Sequence, residues 1–198
     1  MGARGLWKRD WKSPSTSFPS RHSLHVMQTE GRAPIRSSGA NRARRLFIIF
    51  TVSIFALDLI TKNWAISYLQ YREPVKVIGD FLQLTFATNP GAAFNLIGDA
   101  TLILSSLKLC VAALILYFIR KVTNGSWAIA LGLLLGGVLG NLMDRAFRPP
   151  GPWRGEVIDW IELPNWPVFN IADSAIVTSA LFMSLLAIRN IEPYKKVI

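Results

Sequence analysis

Four long apolar segments dominate the pattern of hydrophobic and polar positions along the chain, and they cover about residues 46–69, 100–119, 126–143 and 171–188. As an α-helix rising about 1.5 Å per residue, each has about the length needed to cross roughly 30 Å of hydrocarbon. These segments leave no room after residue 45 for a separate soluble core. The pattern therefore predicts an all-α polytopic membrane protein with four transmembrane helices.

The two longer connections carry weaker signals. In residues 82–86, apolar and polar side chains alternate with the period of two that is typical of a β-strand, and Gly79-Asp80 offers a turn before it. The connection over residues 144–170 contains five prolines and predicts an irregular loop. We therefore expect a small β-sheet segment and a loop at the membrane surface.

Charge is concentrated at the N-terminus. The 198 residues carry a formal net charge of +10, and residues 1–45 alone hold ten Lys or Arg against two Asp or Glu. This segment lacks an apolar period and predicts a disordered basic tail, within which Met27 offers an alternative start. The expected domains are this tail, a membrane domain over 46–190 and a short C-terminal tail over 191–198.

Basic residues also flank the apolar segments on one side. They precede the first segment, link the second to the third and follow the fourth: Arg42, Arg44, Arg45, Arg120, Lys121, Arg189, Lys195 and Lys196. By the positive-inside rule, this side and both termini are expected in the cytoplasm. The two longer connections then face outward.

The sequence excludes several kinds of chemistry. Cys110 is the only cysteine, so no disulfide or CxxC motif can form within the chain. Both histidines, His22 and His25, lie in the tail, which leaves none for a nucleophile–histidine pair or a metal site in the membrane domain. We expect no cofactor, and chemistry that rests on carboxylates, amines, guanidinium groups, hydroxyls and amides.

Ionisable residues inside the apolar segments are costly and are therefore candidates for function. Asp58 and Lys62 lie four residues apart, on one helix face, either as a paired structural charge or as direct ligands. Asn141, Asp144 and Arg145 share another face, either as an Asp–Arg helix cap or as a polar cluster at the outer mouth of the bundle. Before them, glycines at 132, 136 and 140 form a small-residue ridge that lets another helix approach.

Two further acids, Asp159 and Asp173, flank a segment with two prolines that can fold back and bring them together. Asp173 opens the fourth apolar segment, where the helix dipole favours a negative charge. Two carboxylates at close range share a proton, and such a pair can activate water and protonate a leaving amine. The alternative is that both are solvated acids of an outer loop.

Five blocks resemble the bacterial lipoprotein signal peptidase family, also called signal peptidase II. In order they are DLITK at 58–62, NPGAAF at 89–94, GGVLGNLMDR at 136–145, VID at 157–159 and FNIADS at 169–174. They extend over most of the membrane part of the chain. The tail and the Pro/Gly-rich stretch 146–156 are longer than the family pattern needs.

The resemblance implies an intramembrane aspartic endopeptidase with Asp159 and Asp173 as the catalytic dyad. Its substrate would be a prolipoprotein whose cysteine carries diacylglycerol, cut just before that cysteine, near the outer face of the bacterial inner membrane. The resemblance also implies sensitivity to globomycin and contact with membrane lipid. We expect a monomer, and a basic tail that is a solvated arm rather than a nucleic-acid binder, hence no nucleic-acid partner. Phe94 and Leu96 are expected to grip apolar groups of the substrate. The remaining matched positions are expected to bind substrate or support the dyad: Asp58, Lys62, Asn89, Gly91, Asn141, Asp144, Arg145 and Asn170.

Two other classes of function compete with this interpretation. A small proton-coupled transporter or lipid-binding protein could use the same acids as a relay, although transporters usually carry internal repeats and none is visible here. A scaffold could tether a partner through the basic tail. Deleting residues 1–40 discriminates, because retained proteolysis would make the tail accessory.

Overall fold

A computed structural model describes residues 38–91 and 100–194 of the chain. Its elements, in chain order, are α1 (Ser38–Tyr68), β1 (Val75–Ile78), β2 (Leu82–Asn89), α2 (Ala100–Phe118), α3 (Gly125–Phe147), β3 (Val157–Glu162) and α4 (Ile171–Ile188). Residues 1–37, which hold most of the predicted tail, lie outside the described residues.

Three helices of the described part are long and apolar enough to cross a membrane. They are Thr101–Phe118, Gly125–Phe147 and Ile171–Ile188, with mean hydropathies of 2.1, 1.7 and 1.9. They correspond to the second, third and fourth predicted segments. The first predicted segment lies within α1, a helix of 31 residues.

The start of α1 shortens the predicted tail. Residues 38–45, which the composition assigned to that tail, form the first turns of this helix. Ala43 is fully buried and packs with Phe47, Ile119 and Val122 in the main hydrophobic core. An arginine-rich sequence can therefore be helical here, because one apolar face packs while the charged side chains point away.

Helix α3 is the central helix, and its glycines allow two neighbours to approach. A Cβ added at Gly132 would lie 2.8 Å from the carbonyl oxygen of Phe47, and one at Gly136 would lie 2.8 Å from that of Thr51, both in α1. A Cβ at Gly137 would lie 2.5 Å from the carbonyl oxygen of Ala172 in α4. The predicted small-residue ridge is confirmed, and the two packed faces fix α1 and α4 on either side of α3.

A three-stranded antiparallel sheet of order β1-β2-β3 lies at the end of α1. The predicted strand is confirmed as β2, and the turn at Gly79-Asp80 closes through a hydrogen bond from the Phe81 N–H to the Ile78 carbonyl, 2.9 Å. On the face toward the helices, Ile158 of β3 packs against Ala65 and Leu69 of α1.

Strand β3 corrects the expectation of a wholly irregular second connection. Residues 157–162 pair with β2 over Val157–Asn89 and Asp159–Ala87, and the first three of them are buried. The sequence after β3 then folds back, because Phe169 exchanges backbone hydrogen bonds with Ile161. This return places the start of α4 beside β3, as the two prolines allow.

Candidate active site

Polar side chains from five elements converge at one end of the helices. They come from the C-terminal halves of α1 and α3, the N-terminus of α4, the end of β2, and β3. The structure brings these predicted residues into one connected region: Asp58, Lys62, Asn89, Gly91, Asn141, Asp144, Arg145, Asp159, Asn170 and Asp173.

Lys62 is the centre of a buried charge cluster. Its Nζ forms ion pairs with Asp58 Oδ2 at 2.6 Å and Asp144 Oδ2 at 2.8 Å, and it donates a hydrogen bond to Asn141 Oδ1 at 3.0 Å. The side chains of Lys62 and Asp58 are 0% exposed and that of Asp144 is 1% exposed. The contact with Asp58 Oδ2 is an ion pair without the directionality of a hydrogen bond. Lys62 thus contacts two buried carboxylates, and Arg148 supplies Asp144 with a second positive charge.

The same two acids join separate elements. Asp58 Oδ1 accepts a hydrogen bond from the Ala172 N–H at 2.9 Å, which links α1 to α4. Asp144 accepts one from Arg148 Nε at 2.5 Å and one from the Ile158 N–H at 3.4 Å, which links α3 to β3. The cluster therefore holds together the elements that carry the other polar residues.

Two asparagines connect Asp159 with Asp173. Asn170 Nδ2 donates to Asp159 Oδ1 at 2.6 Å, and Asn170 Oδ1 accepts from the Asp173 N–H at 2.9 Å as the N-cap of α4. Asn141 Nδ2 donates to Asp173 Oδ1 at 2.7 Å, and Asn141 Oδ1 accepts from Asn170 Nδ2 at 3.2 Å. Because Asn141 also accepts from Lys62, the network of the two acids is continuous with the charge cluster.

Asn89 contacts the second carboxyl oxygen of Asp159. Its Nδ2 donates to Asp159 Oδ2 at 3.2 Å, and its Oδ1 accepts from the Gly91 N–H at 2.9 Å. Gly91 has a φ of 94°, which favours glycine, and a Cβ added there would lie 3.6 Å from Arg145 Nη2. The chain at residues 89–91 therefore turns tightly between Asp159 and Arg145.

Arg145 and Asp144 take different partners from the Asp–Arg cap considered above. Arg145 Nη1 donates to the Gly155 carbonyl at 2.9 Å, and the arginine partner of Asp144 is Arg148. Sequence reasoning missed Arg148, although its i, i+4 spacing from Asp144 was available. It also missed Gly155, for which no local signal exists, because its close contact with the Asp144 carbonyl arises only in the folded chain.

The pKa of Asp159 is raised to about 7. The main cause is burial, which disfavours the charged carboxylate, and the neighbouring charge of Asp173 adds to it. Hydrogen bonds from Asn89 and Asn170 act in the opposite direction and lower the pKa. Asp159 is therefore a carboxyl group that can hold a proton near neutral pH.

Phe94 and Leu96 lie in residues 92–99, outside the described residues. Within 38–91 and 100–194, no three His, Cys, Asp or Glu side chains lie together in a way that could hold a metal ion.

Fold and site together define a helical membrane protein with two linked carboxyl groups in a largely buried polar network at one end of its helices. Comparison with known proteins makes the class specific. The family model described as signal peptidase (SPase) II matches residues 50–189. The chain belongs to the signal peptidase II family, and it is therefore an aspartic endopeptidase and an integral membrane protein of bacteria, as the resemblance predicted.

Individual relatives agree with this assignment. The chain is 42% identical over 163 residues to the lipoprotein signal peptidase of Streptomyces coelicolor, covering 81% of this chain and 78% of that protein. It is 40% identical over 147 residues to that of Mycobacterium avium, covering 74% and 81% respectively. A solved structure of a bacterial membrane enzyme matches with a TM-score of 0.65 and 26% identity, over 72% of this chain and 92% of that one.

Proposed function

We propose that this chain removes the signal peptide from prolipoproteins whose cysteine carries diacylglycerol, by hydrolysing the peptide bond just before that cysteine. Asp159 and Asp173 form the catalytic dyad. The single observation that carries this proposal is the link through Asn170, which hydrogen-bonds to the Asp159 carboxyl group and to the backbone N–H of Asp173. The names of the relatives support the substrate class.

The two acids differ in environment, which suits them to different steps. Asp173 is half-buried at the N-terminus of α4, where the helix dipole favours a carboxylate, whereas Asp159 is 2% exposed. In the proposed reaction, water attacks the carbonyl carbon and gives one proton to the carboxylate of Asp173. The protonated Asp159 hydrogen-bonds to the carbonyl oxygen. When the C–N bond breaks, the leaving amine takes a proton from the dyad.

Other residues of the region are proposed to position the substrate or the dyad. Arg145 Nε is buried and has no acceptor among the described residues, so it can donate to a substrate carbonyl. Asn141 and Asn170 orient the acids, and Asn89 and Gly91 border Asp159 from the β2 side. Asp58, Lys62 and Asp144 hold these residues in position and do not contact the substrate.

A cleavage assay with the purified chain tests the proposal. A synthetic prolipopeptide with a diacylglyceryl cysteine should be cut at the bond before that cysteine, as mass spectrometry of the products would establish. The same peptide without the lipid should be cut far more slowly, and globomycin should inhibit the reaction. Equal rates on both peptides, or cleavage at another bond, would overturn the proposed substrate class.

We further propose that α1 crosses the membrane as a fourth span. Its outward face is apolar, with Ile48, Val52 and Ile60 each more than half exposed, whereas Asp58 and Lys62 point into the protein. Four spans place the site at the outer face of the inner membrane, and the helix ends near Arg120 and Arg189 in the cytoplasm. Exposed aromatic side chains occur at both ends, as expected at two membrane–water interfaces: Tyr68, Tyr71, Trp153, Trp166, Tyr117 and Tyr194.

Cysteine labelling measures this topology. In a Cys110→Ala background, Glu73→Cys should react with a membrane-impermeant maleimide in intact spheroplasts. Asn41→Cys and Glu192→Cys should react only after permeabilisation. Asn41 lies near the N-terminus of α1 and Glu192 follows the C-terminus of α4, on the side that is cytoplasmic in the proposed topology. All three parent residues are exposed. Labelling of both Asn41→Cys and Glu73→Cys in intact spheroplasts would rule out the fourth span.

The raised pKa of Asp159 predicts the pH dependence of cleavage. Asp159 loses its proton as the pH rises through about 7, so kcat/KM should fall above that pH, by about tenfold per pH unit. Asn89→Ala removes a hydrogen bond that lowers this pKa, so its alkaline limb should move to higher pH. A kcat/KM that stays constant from pH 6 to pH 9 would contradict the assigned role of Asp159.

A further inference from the structure

A cavity lies at the end of the helices away from the candidate active site. It has a volume of about 660 Å³ and lies between the C-terminal part of α2, the N-terminal part of α3 and the segment that follows α4. Its lining is apolar and aromatic, and Lys121 is the charged residue that lines it. This volume is in the range of pockets that bind small ligands, about 300–1,000 Å³.

The chain after α4 builds one wall of this cavity. The Pro193 carbonyl accepts hydrogen bonds from the N–H groups of Thr123 and Asn124 at 3.0 and 3.1 Å. Trp127 Nε1 donates to the Ile191 carbonyl at 2.6 Å. These hydrogen bonds hold residues 191–193 against the link between α2 and α3. The fold itself therefore keeps this wall of the cavity in place.

Helix α2 leaves the other side of the cavity open to the membrane. Leu114 and Phe118 line the cavity, yet they are 55% and 53% exposed, so the opening lies on the lipid-facing surface. An occupant that enters from this side must be apolar over most of its length. An acyl chain meets this requirement.

Lys121 adds a requirement for negative charge. Its side chain is exposed, and its Nζ lies 5.2 Å from the centre of the Tyr117 ring. In the described part of the chain, no carboxylate forms an ion pair with it. Arg120 adds a second exposed cation next to it. A cation at the mouth of an apolar cavity, at the end of a membrane-length helix, complements an acyl chain joined to a phosphate.

We propose that this cavity, between α2, α3 and residues 191–194, binds an anionic phospholipid, with an acyl chain inside it and the headgroup phosphate on Lys121. The site is separate from proteolysis. Its occupant would add contacts between α2 and the rest of the protein, because only 17% of the membrane-length stretch of α2 is buried. In the proposed orientation this site faces the cytoplasmic leaflet.

Native mass spectrometry of the purified full chain tests the site. Phosphatidylglycerol and phosphatidylcholine with the same acyl chains are offered at equal concentration, and the bound ratio is measured. Lys121→Gln should lower the preference for phosphatidylglycerol about fivefold, the effect of about 1 kcal/mol per lysine. Arg189→Gln is the matched control, since Arg189 is an exposed cation at the same end but does not line the cavity.

A second variant tests the apolar part. Leu114→Trp fills the cavity mouth from an exposed position and should reduce phosphatidylglycerol binding with Lys121 intact. Equal binding of both lipids to the unmodified chain would mean an apolar groove without headgroup recognition and would overturn the proposal. An unchanged ratio in Lys121→Gln, or unchanged binding in Leu114→Trp, would do the same. Thermal unfolding midpoints of all variants check that the fold is retained.

Discussion

Asp173→Asn and Asp159→Asn should each lower cleavage of a diacylglyceryl-modified prolipopeptide by about 10²- to 10⁴-fold, the range that general acid–base catalysis contributes. An asparagine at 173 cannot take a proton from water, and one at 159 has no carboxyl proton to offer the carbonyl oxygen. The measurement is kcat/KM from product formation followed by mass spectrometry. The loss should be in kcat, because the asparagine keeps the size of the side chain and its place in the network.

The fold of both variants should survive. The pKa of Asp159 is raised to about 7, so below that pH its replacement by a neutral amide changes the buried charge little. Asp80→Asn is the matched control, because Asp80 is 80% exposed and pairs with Lys76 in the β1–β2 turn. Its activity should equal that of the unmodified chain. If either dyad variant cleaved at the normal rate with an intact fold, the catalytic assignment would be wrong.

Among the proposed substitutions, Lys62→Met should give the largest loss in the free energy of unfolding. It removes the cation that balances Asp58 and Asp144 and leaves both carboxylates buried, with Asp144 keeping only Arg148 as a charged partner. Breaking a buried ion pair by removing one partner costs about 3–5 kcal/mol. The free energy of unfolding, measured by titrating a stronger denaturing detergent into the purified chain, should fall by this amount.

Two further variants separate charge balance from lost packing. Lys76→Met removes an exposed ion pair and should change stability by only about 0–1 kcal/mol. Asp58→Asn combined with Lys62→Met removes one stranded carboxylate, so the double variant should be more stable than Lys62→Met alone. The losses in the free energy of unfolding caused by Asp58→Asn and by Lys62→Met are measured separately. If the loss in the double variant equalled their sum, the cluster would not act through charge compensation.

Much of the fold was accessible from residue patterns. The apolar segments predicted α2, α3 and α4 closely, and the alternation at 82–86 predicted β2. The glycines of α3 predicted a close helix approach, which the contacts with Phe47 and Thr51 confirm. These features depend on residues close in sequence. Helix and strand periods, and the spacing of small residues on one helix face, repeat over a few residues.

The candidate site was only partly accessible. Its acids could be named from their positions, and the i, i+4 pair Asp58–Lys62 forms as its spacing indicates. The second carboxylate on Lys62, from Asp144, could not be read from spacing, because it joins α1 to α3. The partner of Arg145 was also hidden, since Gly155 lies beyond a proline-rich turn whose course only the folded chain defines.

By itself, the sequence determined that this is a helical membrane protein, because span length and charge placement are local facts. The lack of His in the membrane part left carboxylates, amines, guanidinium groups, hydroxyls and amides as the groups available for chemistry. Only the tertiary structure decided that 157–162 forms a strand, that 38–45 belongs to α1, and that two asparagines link Asp159 with Asp173. The physical reason is that a buried polar group must find its partner wherever packing places one, and that partner can be far away in the chain.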